Sequence, residues 1–280
     1  MRQFGWRKDP WNPGAWMHKP KMRADQLPIT SIIGNMPLVR SQGDTSSCVG
    51  FGIGANITHR ARKLWRQSEW FSPTWIYNGA RFIEGDLAED NGCCPDDALT
   101  WLLKNGCLLE HLWPFNPNAV DKTAPGSVLG QFAADYPLVA YYRVGDGVPG
   151  IMSAIADGQP VSIGTPWFAK WQDVLQGFLP VCAKDDEILG GHETLLYGYD
   201  RRANVFYGMN SWGTEWGDAG YYVMPASMFD VFKTLGGYDA HYITFDNVPL
   251  PTPLRPKQRT CWDILFSVVK QPTGVPCLCP

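Results

Sequence analysis

The sequence predicts an α+β protein with a helical lobe first, an antiparallel sheet lobe second and a cleft between them. Three observations carry that reading. Apolar residues in the front half recur at helical spacing behind capping signals, whereas beyond about residue 160 they fall into short β-rich runs separated by turn residues. The residues with chemistry to offer are split between the halves, Gln42 and Cys48 in the first, His192 and Asn210 in the second, as groups that meet across a cleft would be.

Residues 1–28 are rich in Trp, Pro and Lys without periodicity, and read as an extended segment on the body or a short pro-region. The body spans 29–248, its helical lobe about 29–135 and its β lobe about 136–248. A first helix starts at or just before Cys48, with apolar residues at 53, 57, 61, 64 and 65 and a cationic end that suits a helix C-terminus. Gly50, Gly52 and Gly54 within it cost about 1 kcal/mol each relative to Ala, so close packing against another element is expected. Ser72-Pro73 opens a second helix, and a third runs from Pro95 to Lys104, stopped by Asn105-Gly106. Ile151 to Ala156 forms a short helix. Strands are read over 160–164, 194–199, 205–210, 221–224 and 241–245, with a turn at 200–204. Pro251 to Pro256 marks a linker, followed by a cysteine-bearing tail with a short helix from Cys261 to Lys270.

Composition excludes several classes of function. With 45% hydrophobic residues, 18% charged and a net charge of −3, the chain is globular and offers no electrostatic case for nucleic acid. No run approaches the ~18 apolar residues of a membrane span, and the N-terminus lacks the apolar stretch of a secretory signal. The eight cysteines are irregularly placed, without the paired spacing of a zinc site, and read as free or partly paired thiols in a cytoplasmic or virion-like setting. Gly50 to Ala55 imitates a dinucleotide fingerprint without the preceding strand, and the acidic runs 84–90 and 185–187 read as solvated loops.

Four residues form a parts list for acyl chemistry. Cys48 at a helix N-terminus is placed for a lowered pKa, although a lone cysteine is more often a buried, inert one. His192, after two glycines and before an apolar strand, is a base for it, or else a surface imidazole. Asn210 ends a strand and opens Ser211-Trp212-Gly213; its carbonyl would fix the imidazole tautomer and the indole would shield that bond. Gln42 offers a side-chain N–H to an oxyanion, with the Cys48 backbone N–H as second donor.

The run Ser41-Gln42-Gly43-Asp44-Thr45-Ser46-Ser47-Cys48 resembles the Gln-Gly-x-Cys-Gly-Ser-Cys-Trp segment of papain-family cysteine peptidases. Gly191-His192, Asn210-Ser211-Trp212-Gly213 and Trp216-Gly217-x-x-Gly220-Tyr221 resemble its other blocks, in family order over about 28–248. His192 and Asn210 lie 144 and 162 residues after Cys48 (192 − 48 and 210 − 48), against a family spacing of about 130–150. The resemblance implies a two-lobed papain-like fold, Cys48 as nucleophile, His192 as base and acid, Asn210 as orienter, Gln42 as oxyanion donor and Trp212 as shield. It implies a polypeptide substrate, Trp212, Gly191 and Glu193 at the substrate groove, no metal or organic cofactor, and the N-terminal segment as a partner of the site. Thr45, Ser46 and Val49 depart from the family pattern, and the chain looks more similar to bacterial or phage-borne members than to lysosomal ones. Glu193 stands where the family has a small residue bordering a substrate pocket, and would bias it toward Lys or Arg unless it faces solvent or pairs with an Arg. Two rival functions share the same parts: amide cleavage or acyl transfer on peptidoglycan, and a non-catalytic peptide-binding or virion structural role.

Overall fold

Helices crowd the first half and strands the second in the computed structural model of the chain, which describes residues 3–10, 12 and 14–245. The first helix, α1 (Cys48–Trp65), begins on the cysteine itself and is buried from Cys48 through Ala61. That burial is what its glycines permit: a Cβ on Gly50 would stand 2.6 Å from the Pro73 carbonyl, so α1 lies tight against the start of α2 (Pro73–Glu84). Ser72 caps α2 as its sequence predicts, its hydroxyl accepting from the Trp75 N–H at 3.1 Å, and Gly85 closes the helix in the left-handed conformation. The third helix, α3 (Pro95–Asn105), ends on a Gly106 N–H to Leu102 carbonyl bond. Its N-cap residue, Cys94, gives no side-chain cap; Asp9 from the N-terminal segment does, accepting from the Asp96 N–H at 2.8 Å.

Among the described residues, seven strands form one antiparallel sheet: β1 (Thr30–Ile32), β2 (Ala140–Arg143), β3 (Val161–Phe168), β4 (Ile188–Asp200), β5 (Val205–Met209), β6 (Tyr221–Pro225) and β7 (Asp239–Thr244). The order is β2-β7-β3-β4-β5-β6, with β1 paired to the far end of β4. Both β3 and β4 outrun their predicted lengths, because Ile188 to Glu193 pairs with Gly164 to Phe168 despite Gly190 and Gly191. Helices α4 (Ser127–Ala133), α5 (Gly147–Ala156) and α6 (Met228–Thr234) complete the chain order, α5 containing the short helix read at 151–156. The core of the sheet side is aromatic, joining Trp167, Trp171, Trp212, Trp216, Phe206 and Phe229.

Residues 3–10 run extended across the body, and Met17 bridges to Arg143 beside β2. Among the described residues, no helix is long and apolar enough to cross a membrane. The linker and tail read at 249–280, with the helix at Cys261–Lys270, lie outside the described residues.

Candidate active site

β4 delivers His192, buried, to where Asn210 follows the end of β5. The imidazole Nε2 lies 2.7 Å from Asn210 Oδ1. An amide oxygen only accepts, so Nε2 carries the proton, and Nδ1, which has no partner among the described residues, keeps its lone pair. Trp212 lies across the imidazole at 4.6 Å and 32°. Burial, opposed by the Asn210 hydrogen bond, pushes the His192 pKa down to about 4.

Cys48 is fully buried at the first turn of α1, where the backbone N–H groups of Glu193, next to His192, and of Gly5 and Val49 lie near enough to favour its thiolate. Burial pushes its pKa up to about 12, outweighing those donors. The lowered thiol pKa expected of a helix N-terminus is thus not found in this covered state: removing water penalises the thiolate more than the helix end stabilises it. Gln42, also buried, donates from Nε2 to the Thr45 carbonyl at 2.7 Å and accepts from the Ser211 hydroxyl at 2.7 Å. The chain therefore brings Gln42 to Asn210's neighbour and His192 to Asn210, while Cys48 meets the strand of His192.

What covers the site is the chain's own N-terminal strap. The Gly5 carbonyl accepts from the Cys93 N–H at 2.8 Å, the Trp6 N–H donates to the Gly191 carbonyl at 2.9 Å, and the Gln3 carbonyl is 3.4 Å from Gln42 Nε2. Only glycine fits at position 5, since a Cβ would collide with the Ser46 carbonyl. Phe4 stands edge-on to His192 and Trp212 at 6.1 and 5.9 Å. Asp9 anchors the far end: besides capping α3, its Oδ2 lies 3.2 Å from Arg143 and 3.1 Å from His241.

Trp6 fills a hole whose walls come from sheet register. Gly164 of β3 pairs with Glu193 on one side and Asp239 on the other, so both carboxylates flank a position with no side chain. The Trp6 indole N–H donates to Asp239 at 3.0 Å. Glu193 is only 1% exposed, and neither carboxylate oxygen has a partner among the described residues, which excludes both a solvent-facing and an Arg-paired carboxylate. Burial, then Asp9 and Asp239, raises its pKa well above the ordinary carboxylate range; burial, then Asp9, raises Asp239 to about 6. Sequence reasoning missed Asp239, which no local motif marks, and Trp167, whose strand it cut short.

Asp9, Asp96 and His241 bring metal-ligand atoms within 4.8 Å of one another, but Arg143 lies 3.2 and 3.0 Å from the two carboxylates and supplies the positive charge itself.

Known proteins show the same arrangement of chain. An uncharacterized peptidase C1-like protein of Acanthamoeba polyphaga mimivirus is 27% identical over 200 residues, covering 66% of this chain and 63% of the relative. A cathepsin B-like protein of Giardia intestinalis, CP3, is 27% identical over 204 residues, 67% of this chain and 64% of its own length. The chain thus spans a little under two thirds of the curated relatives it matches. Xylellain, a cysteine protease from Xylella fastidiosa, superimposes with a TM-score of 0.78 at 25% identity, over 87% of this chain and 97% of its own. The profile described as papain family cysteine protease matches residues 31–231, and with that the chain belongs to the papain family of cysteine proteases.

Proposed function

We propose that the chain is a cysteine-type endopeptidase working through Cys48 and His192. The carrying observation is an imidazole anchored through Nε2 on Asn210 with Nδ1 open, in a strand whose next residue, Glu193, has its backbone N–H near the Cys48 sulfur. His192 takes the thiol proton as sulfur attacks the scissile carbonyl carbon, forming C–S. Gln42 Nε2 and the Cys48 N–H hold the oxyanion. The C–N bond breaks as His192 returns the proton to the leaving amine. Water, deprotonated by His192, then cleaves the thioester, and the sulfur recovers its proton.

The strap at residues 1–28 is the pro-segment in this reading, removed on activation, ahead of a peptidase body at 29–248. Gly5 of the strap has its N–H near the Cys48 sulfur, so the strap blocks the site in this covered state. With the strap gone, Glu193 and Asp239 border an emptied hole, and a Lys or Arg side chain of the substrate is the occupant that compensates both carboxylates. A peptide-library profile without basic preference, unchanged by Glu193→Ala, would defeat that specificity.

Treating full-length protein with a thiol-directed epoxide, with intact mass before and after, tests the nucleophile and any self-trimming together. Cys48→Ala is expected to lose both labelling and casein cleavage while keeping the fold. Labelling that persists in Cys48→Ala would move the nucleophile elsewhere. Muropeptides assayed beside casein separate peptidase from peptidoglycan amidase.

A further inference from the structure

We propose that Trp167 is a positioning residue that fixes the His192 ring in its working orientation, an inference that rests on reading His192 as the base. The imidazole has one polar anchor, Nε2 to Asn210. A single hydrogen bond defines a direction but leaves the ring free to turn and tilt about it. Two indoles remove that freedom. Trp212 covers one face, and Trp167 stands nearly perpendicular to the imidazole at 4.7 Å and 75°, in the edge-to-face arrangement aromatic pairs favour.

Sheet geometry explains why Trp167 reaches so far. On β3 and β4, Thr165 pairs with His192 and Trp167 with Gly190, which makes Trp167 and His192 diagonal neighbours on one face. The residue directly opposite Trp167, Gly190, has no side chain, and Phe4 of the strap occupies that place. Trp167 is itself held: it is buried, and it meets Trp171 and Trp212 at 5.2 Å, both nearly perpendicular, and Trp216 at 6.0 Å, tilted at 48°. Trp212 rides on the connection after β5, whereas Trp167 belongs to β3, which pairs with β4 at Trp167 itself and with β7 from Ser162 to Gly164. The strand is the rigid support, and rigid support is what a base needs when it must face first a thiol and then a leaving amine.

Histidine-selective ¹⁵N labelling of the full chain, read by NMR, sees the ring directly. In the wild type the His192 Nε2–H, donated to Asn210, should give a downfield, slowly exchanging resonance. In Trp167→Leu that resonance should broaden and exchange rapidly, and kcat on a peptide substrate should fall about ten- to a hundredfold with KM held within about twofold. Trp167→Phe, which keeps an aromatic ring, should retain the resonance and most of kcat. Should Trp167→Leu fail to fold, Trp167→Met reads the same two quantities. The proposal is overturned if the aliphatic variant keeps a sharp, protected Nε2–H and its kcat, or if Phe and the aliphatic residue lose kcat equally and only in step with melting temperature. Cleavage surviving in Cys48→Ala would remove Cys48 as the nucleophile, while the His192 resonance would still report on Trp167.

Discussion

Gln42 is gripped at both ends of its amide, Oε1 by the Ser211 hydroxyl and Nε2 against the Thr45 carbonyl, so its oxygen and nitrogen cannot exchange places. The remaining Nε2 hydrogen is the one directed at the strap's Gln3 carbonyl, where a substrate oxyanion would stand. Gln42→Ala is therefore expected to lower kcat about 10²- to 10³-fold with a smaller change in KM, measured by steady-state kinetics on a fluorogenic peptide. Residues of this kind were legible in the sequence because the chemistry demands a type: a thiol, an imidazole and two amides at recognisable spacings. The two carboxylates around Trp6 were not equally legible. Glu193 could be named from its place beside His192, but its burial, and the company of Asp239, follow from Gly164 pairing with both strands, which no local pattern encodes.

The strap is the element on which the state of the site turns. Gly5→Ala forces its backbone off Ser46, and alkylation of Cys48 in the full chain should accelerate by at least about tenfold as the covered population falls. Further along, His18 anchors the segment through Ser153 at 3.2 Å and Tyr242 at 3.4 Å, with Asp157, Lys21 and Asp146 as the charges around it. Burial, the largest influence, lowers its pKa below the ordinary imidazole value of 6.5, so the docked segment favours the neutral ring. Its contribution to docking is complete above pH 6.5 and is lost progressively as pH falls below that value. Asp239 acts in the opposite sense. Raised from 3.8 to about 6, it holds its proton more tightly when covered, and its contribution fades as pH rises through that window. Hydrogen-exchange protection of residues 3–10, corrected for intrinsic rates, should lose part of its dependence on pH between 7 and 5 in His18→Gln; an unchanged dependence would remove His18 as an anchor. The extended course of residues 3–10 agrees with their lack of periodicity, but no local pattern marks their route over Cys48. It depends on bonds to Cys93 and Gly191, some 90 and 190 residues away in sequence.

Across the whole molecule, legibility follows the range of the interactions. The boundaries of α1, α2 and α3 came out nearly as read because Ser72, Pro95 and Gly106 act within one turn. β1, β2 and α4 escaped because each is short, and β2 exists only through pairing with β7 about a hundred residues on. Helix α1 ties these ranges together, packing on α2 on one side and on the sheet on the other. At its centre the buried Asn56 donates from Nδ2 to the Pro160 carbonyl at 3.0 Å and to the Ser162 hydroxyl at 3.2 Å, and the Ser162 hydroxyl reaches the Gly52 carbonyl at 3.4 Å. This polar stitch joins the helix that begins at Cys48 to the strand that carries Trp167. Asn56→Ala strands the Pro160 carbonyl in an apolar seam and should cost about 1–3 kcal/mol. The expected signature in urea is one transition at a lower midpoint with an unchanged slope, because both sides of the seam still unfold together. Two separate transitions would mean instead that Asn56 is what makes the lobes a single cooperative unit, and kcat should then fall further than the stability loss alone explains, since Cys48 and His192 would no longer be held in one frame.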